Sequence, residues 1–160
     1  MRTLYLYVED NNLRNIYDHA IQEHNTSVEG SAFSAFADSG FDLFLPRDHS
    51  LTVGVSKINY EVRSAMYENG IPCAFCLYPR SSLYKSSLRM TNSVGIIDRG
   101  YRGDLASVFD VLEPVNLKGE QRLVQVCSPD LVPFTVKLVE QPEDLGITER
   151  GTGGFGSTGV

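Results

Sequence analysis

Thr91-Asn92-Ser93-Val94-Gly95-Ile96-Ile97-Asp98-Arg99-Gly100-Tyr101-Arg102-Gly103-Asp104 sets a short apolar run against a turn of glycine and charge, and a second apolar run, Leu105 to Val111, follows. The pattern reads as a β-hairpin, with Asp98 at the mouth of the turn and Tyr101 just beyond it. The same grammar extends outward in both directions. Phe41 to Leu45 stops at Pro46, and Ile58, Tyr60 and Val62 alternate with polar residues. Ala74 to Tyr78, Arg122 to Cys127 and Phe134 to Val139 complete the series, with Gly, Pro, Asn or Asp in nearly every gap. Many short strands without alternating long helices predict an all-β barrel or sandwich. Upstream, the Asp10-Asn11-Asn12 cluster can cap a helix, and Leu13, Ile16, Tyr17, Ala20 and Ile21 recur at helical spacing. That spacing predicts an amphipathic helix over about 12–23, closed by the polar stretch His24 to Gly30.

A chain of 160 residues fits a single core, here 1–149, followed by a glycine-rich tail over 150–160. Hydrophobic residues at 42% against charged residues at 21% exclude a disordered chain. The net charge of −6 repels polyanions, so neither nucleic acid nor an anionic membrane is an expected partner. No apolar run nears the roughly 20 residues that cross a bilayer, and no charged-then-apolar leader opens the chain. Three cysteines give no disulfide framework and point to a reducing, cytoplasmic or otherwise intracellular compartment.

Three segments can carry chemistry. The tail, Arg150-Gly151-Thr152-Gly153-Gly154-Phe155-Gly156-Ser157-Thr158-Gly159, is either a flexible end or an anion grip. In the second case its amides, hydroxyls and the Arg150 fork hold phosphate, and Phe155 waits for a flat ring. Tyr78-Pro79-Arg80-Ser81-Ser82-Leu83 is a strand-end turn or a second phosphate grip. Asp98 is a turn former or, beside phosphate-binding groups, a carboxylate that can activate water.

Taken in order, Asp38-Ser39-Gly40-Phe41-Asp42-Leu43, Pro79 to Leu83, Val94 through Gly103, Arg122-Leu123-Val124-Gln125 and Arg150 through Gly159 resemble the five motifs of the trimeric dUTPases. The resemblance implies a jelly-roll-like β-barrel in a homotrimer that hydrolyses dUTP to dUMP and pyrophosphate with Mg²⁺. Such an activity keeps uracil out of DNA and supplies dUMP for dTMP synthesis. It further implies that Asp98 is the general base and that Tyr101 lies against the deoxyribose. Asn92 would bond uracil within a hairpin that includes Gly95 and Ile97. Arg80, Ser81, Ser82, Gln125, Arg150, Gly156, Ser157 and Thr158 would hold the triphosphate, and Phe155 would cover the base. Asp42 would support the phosphate region, and the ion would rest on phosphates and waters. The tail would close over a site on a neighbouring copy.

Ser82 stands where many family members have Gly, Gly100 where an acid is frequent, and Glu120-Gln121 adds one residue to the fourth motif. The predicted helix has no counterpart in the compact family pattern; it is expected on the surface, where it could meet an extra protein partner. Two other readings share the scaffold: a dCTP deaminase or bifunctional deaminase–dUTPase, and a nucleotide-sensing, partner-binding protein.

Overall fold

Alternating apolar residues build the strands that the sequence predicts, and three-residue strands fill the gaps between them. The computed structural model describes residues 1–30, 34–156 and 159. Its strands are β1 (Arg2–Val8), β2 (Gly40–Phe44), β3 (His49–Leu51), β4 (Gly54–Glu68), β5 (Ile71–Cys73), β6 (Phe75–Pro79), β7 (Leu88–Met90), β8 (Gly95–Ile97), β9 (Asp104–Val111), β10 (Val115–Leu117), β11 (Arg122–Cys127) and β12 (Thr135–Leu138). Among the described residues there is one α-helix, α1 (Asn11–Glu29). None of the described helices is long and apolar enough to cross a membrane.

One sheet runs β12-β1-β4-β9-β7, with β5 also paired to β4, and a second runs β2-β11-β6-β8. A ribbon of β3 and β10 stands apart from both. The β1–β12 ladder is parallel, whereas the other described pairings are antiparallel. β1, β2 and β9 turn alternate residues inward, as a period of two requires. Leu4, Leu6, Ile58, Tyr60, Leu105 and Phe109 of the first sheet join Leu43, Leu77, Val124 and Val126 of the second in one core. The chain is therefore mostly β, with both sheets closing on a shared interior.

The helix is longer than its spacing predicts, and it is part of the core. Asp10 Oδ1 accepts the Leu13 N–H at 2.8 Å, a side-chain N-cap. Leu13, Tyr17 and Ile21 are buried in the common core. The Phe44 N–H donates to Tyr17 Oη at 3.0 Å, and the two rings meet edge to face at 5.2 Å. Residues 24–29, polar except for the buried Val28 and read from sequence as a closing loop, continue the helix, and His24 and Asn25 find partners on and just before β12. Asn25 donates to the Val136 carbonyl and accepts the Val136 N–H, at 2.8 and 2.9 Å. His24 Nε2 donates to the Phe134 carbonyl at 2.8 Å. These bonds satisfy backbone groups that an edge strand would leave open. The helix thus lies on the outside of the sheets, its apolar stripe buried in the common core and its opposite face exposed. His49 begins β3 opposite Leu117.

Burial lowers the His24 pKa below its ordinary value of 6.5, an effect only partly offset by the Phe134 carbonyl and the Asp38 and Asp42 carboxylates. The unfolded chain therefore takes up this proton first as the pH falls. Stability from neutral His24 is complete above about pH 6.5 and is lost as the pH drops through the folded value. The wild-type denaturation midpoint should fall more between pH 7.5 and 5.5 than that of H24N; groups common to both proteins cancel. Parallel declines would remove His24 from this role.

Candidate active site

The order β2-β11-β6 brings three distant segments into register. Gln125 on β11 lies opposite Asp42 on β2 and opposite Tyr78 on β6. Arg80 leaves β6 after Pro79, its N–H held by the Leu123 carbonyl at 2.9 Å. Its Nε meets Asp42 Oδ1 at 2.9 Å, while Arg122 Nη1 meets Asp42 Oδ2 at 3.1 Å. One carboxylate thus holds two guanidiniums side by side and offsets their repulsion. Burial raises the Asp42 pKa, and the two arginines pull it back only in part. Arg80 Nη1 also donates to Ser82 Oγ at 3.4 Å, and Gln125 Nε2 to the Pro79 carbonyl at 3.4 Å. Gly40 permits this packing, since a Cβ there would fall against Gln125 Oε1.

These groups border a cavity of about 1010 Å³, which Ser81 also lines. Its other wall is helical: Ile16, His19, Ala20 and Glu23 of α1 face into it. Sequence reasoning missed Arg122 as a site residue, although it opens the Arg122-Leu123-Val124-Gln125 motif. It also missed the helical wall, because the core stripe of α1 masks a second stripe one residue away.

A second group gathers at the far edge of the same sheet, where β8 pairs with β6. Gly95 lies opposite Leu77 and Ile97 opposite Phe75, so Asp98 follows immediately after the ladder. The Tyr101 N–H donates to the Asp98 carbonyl at 2.9 Å, which closes the turn. The Asp98 side chain is 54% exposed. Tyr101 is half-buried, its hydroxyl donates to the Asp104 carbonyl at 2.8 Å, and burial raises its pKa. Asn92 is exposed in the turn before β8, where Ser93 takes a positive φ of 61°.

The tail lies on this second group. Arg150 pairs with Asp98 through Nη1, and its Nε donates to the Gly153 carbonyl at 3.1 Å. Its guanidinium carbon stands 5.9 Å from the Tyr101 ring centre. Gly154 passes so close to that ring that an added Cβ would sit 3.0 Å from Cε2. Phe155 is exposed, with the Lys57 ammonium 4.4 Å from its ring centre, and Gly156 takes a positive φ of 89°. Ser157 and Thr158 fall outside the described residues.

The sequence-predicted residues therefore form two groups within one chain. Asp42, Arg80, Ser81, Ser82 and Gln125 gather at the cavity; Gly95, Ile97, Asp98, Tyr101, Arg150 and Phe155 gather at the hairpin, with Asn92 at its approach. Neither Asp98 nor Tyr101 borders the cavity. The first group offers paired guanidinium forks suited to phosphate oxygens, and the second offers an exposed carboxylate beside a phenol and a cation. Among the described residues no three His, Cys, Asp or Glu side chains converge as a metal cage.

A family model described as dUTPase matches residues 32–159, leaving β1 and α1 ahead of it. The deoxyuridine 5'-triphosphate nucleotidohydrolase of Cutibacterium acnes is 37% identical over 133 residues, which cover 77% of this chain and 80% of that protein. Its namesake from an African swine fever virus tick isolate is 32% identical over 130 residues, covering 76% and 79%. The solved structure of native EIAV dUTPase covers 56% of this chain and 73% of its own, at 26% identity and a TM-score of 0.47.

Proposed function

The chain belongs to the dUTPase family, and we infer that it is a dUTP diphosphatase that hydrolyses dUTP to dUMP and pyrophosphate. The observation that carries this reading is the family match over residues 32–159, which contains every segment supplying Arg80, Asp98, Gln125 and Arg150. In the proposed mechanism Asp98 takes a proton from the water that attacks the α-phosphorus. Tyr101 backs the deoxyribose and leaves no room for a 2′-hydroxyl. Asn92 and the backbone of Gly95 and Ile97 bond uracil; a cytosine edge would leave those groups unpaired. Arg80, Ser81, Ser82, Gln125, Arg150, Gly156, Ser157 and Thr158 bind the triphosphate, and Phe155 covers the base.

Magnesium fits this donor set as an ion carried on the substrate. Both Asp42 oxygens are taken by Arg80 and Arg122, so this carboxylate supports the phosphate grips instead of serving as a ligand. A hard, strongly hydrated cation then takes phosphate oxygens and water, and it neutralises charge on the triphosphate when bound. Arg80 and Arg122 orient the chain of phosphates, so the protein contributes mainly positioning and charge.

The assembly we propose is a homotrimer of jelly-roll-like barrels in a reducing, intracellular compartment. Its support is the separation of the two groups: a nucleotide that needs both the Arg80 fork and Asp98 is served when the cavity of one copy faces the hairpin of another. Pyrophosphate release should favour dUTP over dTTP, dCTP and UTP by at least about a hundredfold. Ammonia released from dCTP would instead establish the deaminase, and binding without turnover would establish a sensor.

A further inference from the structure

The residues of α1 that border the cavity are Ile16, His19, Ala20, Glu23, His24 and Ser27. Their spacing of three and four residues makes one continuous stripe, set beside the stripe that is buried in the core. The helix is docked on β2 through both of that strand's aromatic residues. The Phe44 N–H donates to Tyr17 Oη, and His24 meets the Phe41 ring edge to face at 5.2 Å. Phe44 in turn has the Arg122 guanidinium carbon 5.9 Å from its ring centre. The second stripe of α1 therefore runs along the strand whose Asp42 holds Arg80 and Arg122.

Charge decides what this wall can do. Two guanidiniums against one carboxylate leave the sheet side of the cavity a surplus of one positive charge. A triphosphate carrying one divalent ion brings about two negative charges to it. Glu23, Asp38 and Glu120 also border the cavity and oppose an anion. Besides Arg80 and Arg122, only His19 and His24 among the described lining residues can carry positive charge. His24 is engaged with the Phe134 carbonyl at 2.8 Å and with Phe41. His19 is exposed on the same face, beside the small side chain of Ala20.

We propose that His19 is a substrate-binding residue through which α1 holds the outer phosphates of dUTP, across the cavity from Arg80 and Arg122. The proposal rests on the dUTPase reading for its substrate. It goes beyond the family pattern, because α1 lies ahead of the matched residues 32–159. Asp98 does not border the cavity, so the α-phosphorus stays at its mouth while the β and γ phosphates reach inward. A protonated imidazole donates to phosphate oxygen in a charge-assisted bond, roughly twice as strong as the bond of the neutral ring. The contact therefore strengthens as the pH falls through the range in which histidine titrates. The charged groups around it are Asp38, Asp42, Arg80, Glu120 and Arg122 from the sheet side and Glu23 on α1.

The test compares wild type, H19Q and H19K at pH 6 and pH 8. At pH 6 the KM of H19Q for dUTP should be about fivefold above wild type, with kcat within about twofold. At pH 8 the gap should shrink to less than about twofold, and H19K should keep a low KM at both pH values. The terminal phosphate and the surrounding charged groups are common to the three proteins and cancel. A gap of equal size at both pH values, or none at pH 6, would overturn the proposal. The ring-carbon NMR signal of His19, assigned by its loss in H19Q, needs no turnover. Magnesium tripolyphosphate and an α,β-imido analogue of dUTP should each make the ring hold its proton about fivefold more tightly, and dUMP should not. An equal response to dUMP would overturn the assignment to the outer phosphates. A response to tripolyphosphate without dUTP hydrolysis would remove the substrate and keep the phosphate contact, while hydrolysis with an unresponsive ring would remove His19 alone.

Discussion

Replacing Asp98 by Asn should lower dUTP turnover by about a thousandfold, with affinity for the imido analogue held within about threefold. The substitution keeps size and one acceptor oxygen, so the turn closed by the Tyr101 N–H and Asp98 carbonyl is untouched. What it removes is the only carboxylate in the hairpin group that stands beside Arg150. In the ligand-free chain Arg150 occupies one oxygen of that carboxylate. The proposed mechanism therefore needs the triphosphate to draw Arg150 away before Asp98 can accept a proton. Single-turnover pyrophosphate release separates this step from binding. Undiminished turnover in D98N would assign the water activation to another group.

Deleting residues 150–160 should lower kcat/KM by at least about a thousandfold while leaving the thermal midpoint within a few degrees. The asymmetry follows from burial. No described residue from Arg150 onward belongs to the common core, and Phe155 is 60% exposed. The deletion removes Arg150, Phe155 and the hydroxyls of Ser157 and Thr158, and with them the groups proposed to enclose triphosphate and base. Ordering such a segment costs entropy that the nucleotide must offset, so its contribution emerges only with substrate present. A truncated chain with full activity would contradict closure by the tail.

The sequence made these residues legible because their chemistry is local. Asp98, Tyr101 and Arg150 each stand in a run of glycine and charge that no core strand would carry. The strands were legible where alternation lasts five residues or more, as in β2 and β9. Three-residue strands such as β3, β7 and β10 hold too few positions to show a period; their pairing is set by partners far along the chain. The same holds for the second half of α1, whose mostly polar residues 24–29 look like a loop until Asn25 meets Val136. The Asp42 bridge between Arg80 and Arg122 joins residues separated by tens of positions, and only the register of β2, β11 and β6 brings them together.

The parallel ladder between β1 and β12 sets Thr3 beside Thr135 and Leu6 beside Leu138. During vectorial synthesis, β1 leaves the ribosome long before its neighbour on that side exists. The nascent sheet must wait with an open flank until β12 has emerged. Contacts of such long sequence separation form late and slowly. Completion of this sheet is therefore gated by β12, the strand that directly precedes the segment leading to Arg150.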